Sequence, residues 1–201
     1  MYCLFKEFID RVSASILFII FIPIYILISL IVFIDLGNPI FFKQSRPGLK
    51  GKLFTLIKFR TMQSIKSKDV DLISDSSRTS KVGKFLRKTS LDELPELINI
   101  INGKMSFVGP RPLLIEYLDL YSPEQMRRHN VKPGLSGWAQ VNGRNSISWE
   151  KKFKLDLWYI KNQSFLLDIK ILFLTMIRVI RMDSIYSDGE SINTHFKGHL
   201  N

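Results

Sequence analysis

The chain of 201 residues has one cysteine, Cys3, and three histidines, His129, His195 and His199. A single thiol excludes an internal disulfide and agrees with a reducing compartment. So few soft ligands make no convincing zinc set, and although His195 and His199 have the i, i+4 spacing of a ligand pair, they read as part of a polar tail. No Walker or dinucleotide-binding glycine fingerprint occurs, and there is no internal repeat or low-complexity tract. Acidic residues are also scarce, 18 against 29 basic, which leaves a formal charge of +11. Such a protein is drawn to anionic headgroups and anionic substrates.

Charge of either sign is missing altogether from Val12 to Ile34, 23 residues dominated by Ile, Leu, Phe and Val between Arg11 and Asp35. A helix of that length crosses a hydrocarbon core of about 30 Å. No small-residue cleavage site follows it, so it is expected to be retained. Pro23 stands near its centre and predicts a bend. Two topologies fit: a kinked spanning helix, favoured by the cost of unsatisfied backbone in lipid, or a re-entrant hairpin that returns to the face it entered. In both, the basic cluster Lys43, Arg46, Lys50, Lys52, Lys58 and Arg60 puts the remaining chain in the cytosol.

Beyond this run, residues 39–44 and 53–59 read as two short strands around the turn Arg46 to Gly51. Gly48-Leu49-Lys50-Gly51 superficially matches an RNA-binding GXXG loop, but strand-like runs flank it, so no nucleic-acid role is expected. Residues 63–81 are polar and read as a surface loop or a short solvated helix.

The most informative stretch is Arg87-Lys88-Thr89-Ser90-Leu91-Asp92-Glu93-Leu94-Pro95, two adjacent carboxylates beside two cations. Ser90 and Glu93 fit the S-x-x-E capping box, and residues 91–101 are apolar enough for a buried helix ending near Gly103. Asp92 would then lie in a first turn whose dipole keeps it ionised and favours a docked phosphate. Pro95 conflicts with a helix starting at Ser90, so the first turn is kinked or the regular helix starts later. Alone, this stretch reads more simply as capping by Ser90 and Glu93 with Asp92 complementing the helix dipole, and the rest of the chain shifts that balance.

Gly109-Pro110-Arg111-Pro112 is a rigid turn that holds the Arg111 guanidinium at low entropic cost, or an ordinary turn with a solvated arginine. Residues 132–144 form a glycine-punctuated segment with room for a ligand to approach the backbone. Residues 149–182 have helical periodicity, with a broad apolar face from Phe165 to Ile180 that suits a core or a bilayer interface.

Phe41-Phe42-Lys43-Gln44, Lys58-Phe59-Arg60-Thr61-Met62, the Thr89 to Pro95 run, Asn102 to Pro112, Lys132 to Arg144 and Leu155-Asp156-Leu157-Trp158-Tyr159 occur in order. Together they resemble the bacterial sugar transferases, the monotopic polyprenyl-phosphate phosphoglycosyl transferases, over nearly the whole chain. The resemblance implies an α+β, mostly helical protein. A re-entrant membrane helix-break-helix over residues 1–36, broken at Pro23, would precede a cytosolic catalytic domain over residues 37–201 with interfacial amphipathic helices and a short β-hairpin. It implies transfer of a phosphosugar from a UDP-sugar to undecaprenyl phosphate on the cytoplasmic face of the bacterial inner membrane, releasing UMP. The small size resembles the enzymes that initiate Campylobacter-type protein N-glycosylation. That implies UDP-N,N′-diacetylbacillosamine as donor and other pathway glycosyltransferases as partners. Asp92 matches the family's nucleophile and Glu93 the second member of its dyad, with Mg²⁺ as cofactor at the pair, and both metal binding and assistance to proton transfer are open to Glu93. Lys58, Arg60, Arg87 and Arg111 match its phosphate-binding cations, and Gly134, Gly137, Gln140 and Arg144 its nucleotide loop.

Two other functions compete. A non-catalytic membrane-anchored binder of anionic lipid or nucleic acid would need only the positive charge, and leaves the dyad without purpose. A magnesium-dependent phosphohydrolase would share the dyad and differ only in acceptor.

Overall fold

The computed structural model describes residues 2–63, 78–143, 147–181, 196 and 198. Helix α1, Tyr2–Leu36, is continuous through Pro23. The expected helix-break-helix is thus a single hydrogen-bonded helix about 52 Å long at 1.5 Å per residue. Proline removes only one bond from the ladder, and here both sides of it are held against the rest of the molecule. On the N-terminal side Lys6 pairs with Asp168, Glu7 with Lys132 at 2.8 Å, and Ser106 donates to Asp10 at 2.6 Å. On the C-terminal side Tyr25, Ile28 and Val32 pack with Phe59 and Leu86, and the Tyr25 hydroxyl donates to the carbonyl of Leu94. The buried positions 10, 14, 25, 28 and 32 recur at the three- and four-residue spacing of one helical face. The opposite face, including Phe8, Ile19, Ile26 and Ile34, is exposed.

Strands β1 (Phe41–Pro47) and β2 (Leu53–Phe59) form the expected antiparallel hairpin, in register from Phe41 opposite Phe59 to Pro47 opposite Leu53. Alternation along β2 buries Phe54 and Leu56, and Phe59 at its end is buried out of that phase, in a separate cluster with Tyr25 and Leu86. Helix α2 (Lys81–Lys88) is capped by Ser80, whose Oγ accepts from the Gly83 amide at 2.9 Å. A Cβ at Gly83 would lie 2.1 Å from the Thr61 carbonyl oxygen, so only glycine lets α2 approach the end of β2 this closely. Helix α3 (Glu96–Ile101) follows, and Asn102 and Gly103, with φ +68°, end it where the sequence predicts. Its Leu97 and Ile100 join Ala14, Phe54, Leu56 and Met105 in a core shared by α1, the hairpin and α3.

A second sheet was not foreseen. β3 (Ser106–Val108) pairs in parallel with β4 (Gly134–Ser136). Between them lie a 3₁₀ turn (Ile115–Leu120), the short helix α4 (Pro123–Met126) and a second 3₁₀ turn (Arg127–Asn130). Helix α5 (Trp138–Val141) follows β4. The C-terminal helical region is two helices, α6 (Trp149–Asn162) and α7 (Phe165–Ile180), separated at Ser164, which caps α7. The apolar face of α7 is largely outward: Leu166, Phe173, Met176 and Ile180 are exposed, whereas Ile171 is buried. The polar segment at residues 63–81 lies mostly outside the described residues. Where it is described, Met62 bridges Thr79, and α2 starts at Lys81.

Candidate active site at the Asp92–Glu93 pair

Arg87 is in the last turn of α2, and the chain turns sharply after it because Ser90 adopts a left-handed conformation, φ 57°. Leu91–Glu93 form a 3₁₀ turn, and Pro95 heads α3. The capping box is therefore absent: Ser90 makes no side-chain cap, and the regular helix begins beyond Pro95, where a missing N–H costs nothing. Asp92 and Glu93 precede the helix instead of occupying its first turn.

The two carboxylates differ sharply. Glu93 Oε1 accepts from Lys58 Nζ at 2.5 Å and from Arg111 Nη2 at 2.9 Å. Lys58 reaches in from β2 and also lies 3.1 Å from Glu96 Oε1. Asp92 is 8% exposed, and no described residue gives its carboxylate a hydrogen bond or ion pair. Burial, and then the neighbouring Glu93, push its pKa up to about 6 against the pull of Lys58, Arg87 and Arg111. The expected help from a helix dipole is thus absent, and Asp92 is harder to ionise than an ordinary aspartate, because desolvation dominates and no α-helix starts there. Burial also acts against charge on Glu93, but Lys58 and Arg111 outweigh it and hold that carboxyl well below its ordinary value. Glu96 goes the other way, raised to about 7 chiefly by burial.

Of the expected phosphate-binding cations, Lys58 and Arg111 meet at the dyad, and Arg87 is close enough to act on Asp92 electrostatically. Arg87 Nε also donates to Thr61 Oγ1 at 2.8 Å. Arg60 is directed elsewhere. Its guanidinium donates to the carbonyls of Leu36, Gly37 at 2.7 Å and Asn38 at 3.2 Å, tying the end of α1 to the start of the hairpin. The glycines expected to admit a nucleotide also have another task. A Cβ at Gly134 would lie 2.1 Å from the Gly109 nitrogen, and one at Gly137 would lie 2.3 Å from the Gly109 oxygen, so both serve close backbone packing on the Gly109–Pro112 turn. Gln140 donates to the Leu135 carbonyl at 3.1 Å, bracing that segment from within. Arg144 lies outside the described residues.

The family model described as bacterial sugar transferase matches residues 1–182. The chain belongs to the bacterial sugar transferase family. Among its relatives, the uncharacterized sugar transferase EpsL of Bacillus subtilis is 49% identical over 193 residues, 96% of each chain. The UDP-glucose:undecaprenyl-phosphate glucose-1-phosphate transferase of Escherichia coli is 40% identical over 87% of this chain. The undecaprenyl-phosphate galactose phosphotransferase of Salmonella typhimurium is 38% identical over 90% of it. The chain spans about 40% of the length of these last two.

In this sugar transferase, sequence reasoning missed Glu96. The available signal was its spacing of three from Glu93, which puts two carboxylates within reach of one lysine. Among the described residues no group of three or more His, Cys, Asp or Glu side chains could hold a metal. That does not make the dyad unsuited to magnesium, which commonly takes one or two carboxylates and completes its shell with substrate phosphate and water. The unpaired Asp92 carboxylate fits that role, beside Glu93.

Proposed function

We propose that this sugar transferase passes a sugar 1-phosphate from a UDP-sugar to undecaprenyl phosphate and releases UMP, with Asp92 as covalent nucleophile. The inequality of the two carboxylates carries the reading: Asp92 is buried and unpaired beside cations, whereas Glu93 is already gripped by two of them. In the first step an Asp92 oxygen forms a bond to the β-phosphorus. The bond from that phosphorus to the bridging oxygen breaks, and UMP leaves with the electron pair. In the second, an oxygen of the lipid phosphate attacks the same phosphorus and returns the pair to Asp92, leaving an undecaprenyl-diphosphate sugar. Arg111 and Arg87 counter the charge gathered on the equatorial oxygens, and Glu93 holds Lys58 and Arg111 in place. Magnesium is the proposed cofactor, held by Asp92 and Glu93, and when bound it would mask diphosphate charge and stabilise the leaving UMP.

The proposed donor is UDP-N,N′-diacetylbacillosamine, and the reaction would open glycan assembly, N-glycoprotein assembly included, at the cytoplasmic face of the inner membrane. Support for a one-face topology comes from contacts on either side of Pro23, since both Lys6 and Tyr25 bond to the same domain.

The test is mass spectrometry of enzyme quenched after mixing with magnesium and one UDP-sugar, without lipid, across the bacillosamine derivative, UDP-glucose and UDP-galactose. A phosphosugar adduct on the Asp92 peptide is expected with one donor. UMP formation that requires both substrates, with no adduct, would point to direct transfer. UMP and free sugar phosphate formed equally well without lipid would point to a hydrolase.

A further inference from the structure

Arg111 is held from behind as well as in front. Its guanidinium faces Glu93 at 2.9 Å, and its own carbonyl oxygen accepts from Arg128 Nη2 at 2.8 Å. The same nitrogen donates to Asp156 Oδ2 at 2.8 Å, and Arg128 Nε lies 3.3 Å from that oxygen. Arg128 comes from the 3₁₀ turn Arg127–Asn130 and Asp156 from α6, and their side chains are 2% and 6% exposed. One residue earlier, the Pro110 carbonyl accepts from the Gly134 amide at 3.0 Å. The Pro-bracketed turn is therefore fixed at two successive carbonyls.

A buried ion pair is a poor device for stability alone, because desolvating both ions offsets most of their attraction and apolar replacements often serve as well. What an apolar pair cannot do is donate to a backbone carbonyl. A lysine at position 128 could hold Asp156, but it lacks the planar fork that lets one nitrogen serve both acceptors while a second faces the carboxylate. We infer that Arg128 and Asp156 are positioning residues for the transfer reaction: they lock the carbonyl of Arg111 and so aim its guanidinium at Glu93 and the substrate diphosphate. The inference rests on the proposed transfer at Asp92 and Glu93.

The experiment compares wild type, the double variant R128M/D156L and R128K in three measurements: thermal unfolding, UMP release, and amide hydrogen exchange over residues 106–120. The double variant should unfold near the wild-type temperature. Losing a charge-assisted hydrogen bond should lower its kcat about tenfold or more, while the KM for the donor changes much less. The loss should be non-additive with Arg111→Lys, the combined variant falling less than about threefold below Arg111→Lys alone, as expected of residues acting through one another. R128K should fold and show the same kinetic defect. Exchange at the amides of Gly109, Arg111 and Leu113 should accelerate in both variants. A well-folded double variant with wild-type turnover, or a loss that multiplies with that of Arg111→Lys, would overturn the inference. Unchanged exchange around Arg111 would overturn it too, and that measurement needs no turnover. Wild-type enzyme that releases no UMP with any donor would count against the transfer itself, with the hold on Arg111 still decided by exchange.

Discussion

Asp92 and Glu93 are neighbours in sequence with opposite electrostatic fates, and the division of labour follows from that. Glu93 receives Lys58 and Arg111, which favour its ionised form and hold its carboxyl well below the ordinary range. Asp92 receives neither and pays for its burial with a pKa near 6. A carboxylate must be ionised to attack phosphorus, so kcat/KM for the donor should rise with pH through about 6 and flatten above it, as the free enzyme's essential base dictates. A profile flat from pH 5 to 8 would count against Asp92 as the nucleophile. The same shift acts on stability. A carboxyl whose folded pKa is raised binds its proton more tightly when folded, so it lowers stability as pH rises from its ordinary 3.8 through about 6, and the cost is complete above that window. Asp92→Asn removes the charge and keeps the shape. It should abolish adduct formation and turnover while unfolding at a higher temperature than wild type at pH 8, with the gap closing as pH falls below 6. Equal or lower unfolding temperatures at pH 8 would show that the ionised carboxylate is not destabilising.

At the scale of elements, α1 is decided by its contacts. Lys6 near one end and Tyr25 towards the other both bond to the domain that carries the dyad, so both ends should lie on one side of the bilayer. Cys3 is exposed and is the chain's single cysteine, which makes it a native reporter. A membrane-impermeant maleimide should label it in inside-out vesicles and leave it untouched in intact cells. Labelling from the periplasm would restore the spanning helix. The hairpin was legible because apolar alternation and a Pro-Gly turn are local signals, and so were the end of α3 and the presence of an apolar face on α7, whose outward direction periodicity does not specify. The start of α3 was not. Ser90 and Glu93 have the letters of a capping box, but the left-handed turn at Ser90 and the proline at position 95 set a later start. The pairing of β3 with β4 had no local signature, since two three-residue strands far apart in the chain show no periodicity. Gly134 and Gly137 read as space for a ligand because a missing Cβ looks alike whether a nucleotide or the Gly109 backbone fills the gap. Arg60 read as a phosphate ligand because its charge is visible in sequence and its backbone acceptors are not.

For the molecule as a whole, the question is whether the apolar helix is an appendage or part of the core. Sequence composition divides the chain at about residue 36, yet packing does not respect that division. Ala14 shares a cluster with Phe54, Leu56, Leu97, Ile100 and Met105, and Tyr25, Ile28 and Val32 share another with Phe59 and Leu86. These clusters flank the segment that carries the dyad, because Leu91 and Leu94 pack against the second and the Tyr25 hydroxyl holds the Leu94 carbonyl. Each fully buried large apolar side chain contributes about 1.5–3 kcal/mol, so losing several partners at once exceeds the net stability of a typical small domain. The removal would also leave Asp168 without the Lys6 ammonium and Ser106 without its acceptor on Asp10. A chain lacking residues 1–36 should therefore fail to yield a folded soluble domain, giving aggregated material with no cooperative unfolding and no UMP release. The decisive comparison is full-length protein against the truncated chain in the same detergent. Truncated protein that unfolds cooperatively and still forms the Asp92 adduct would make α1 a mere anchor, and would put the shared core outside the requirements of the active site.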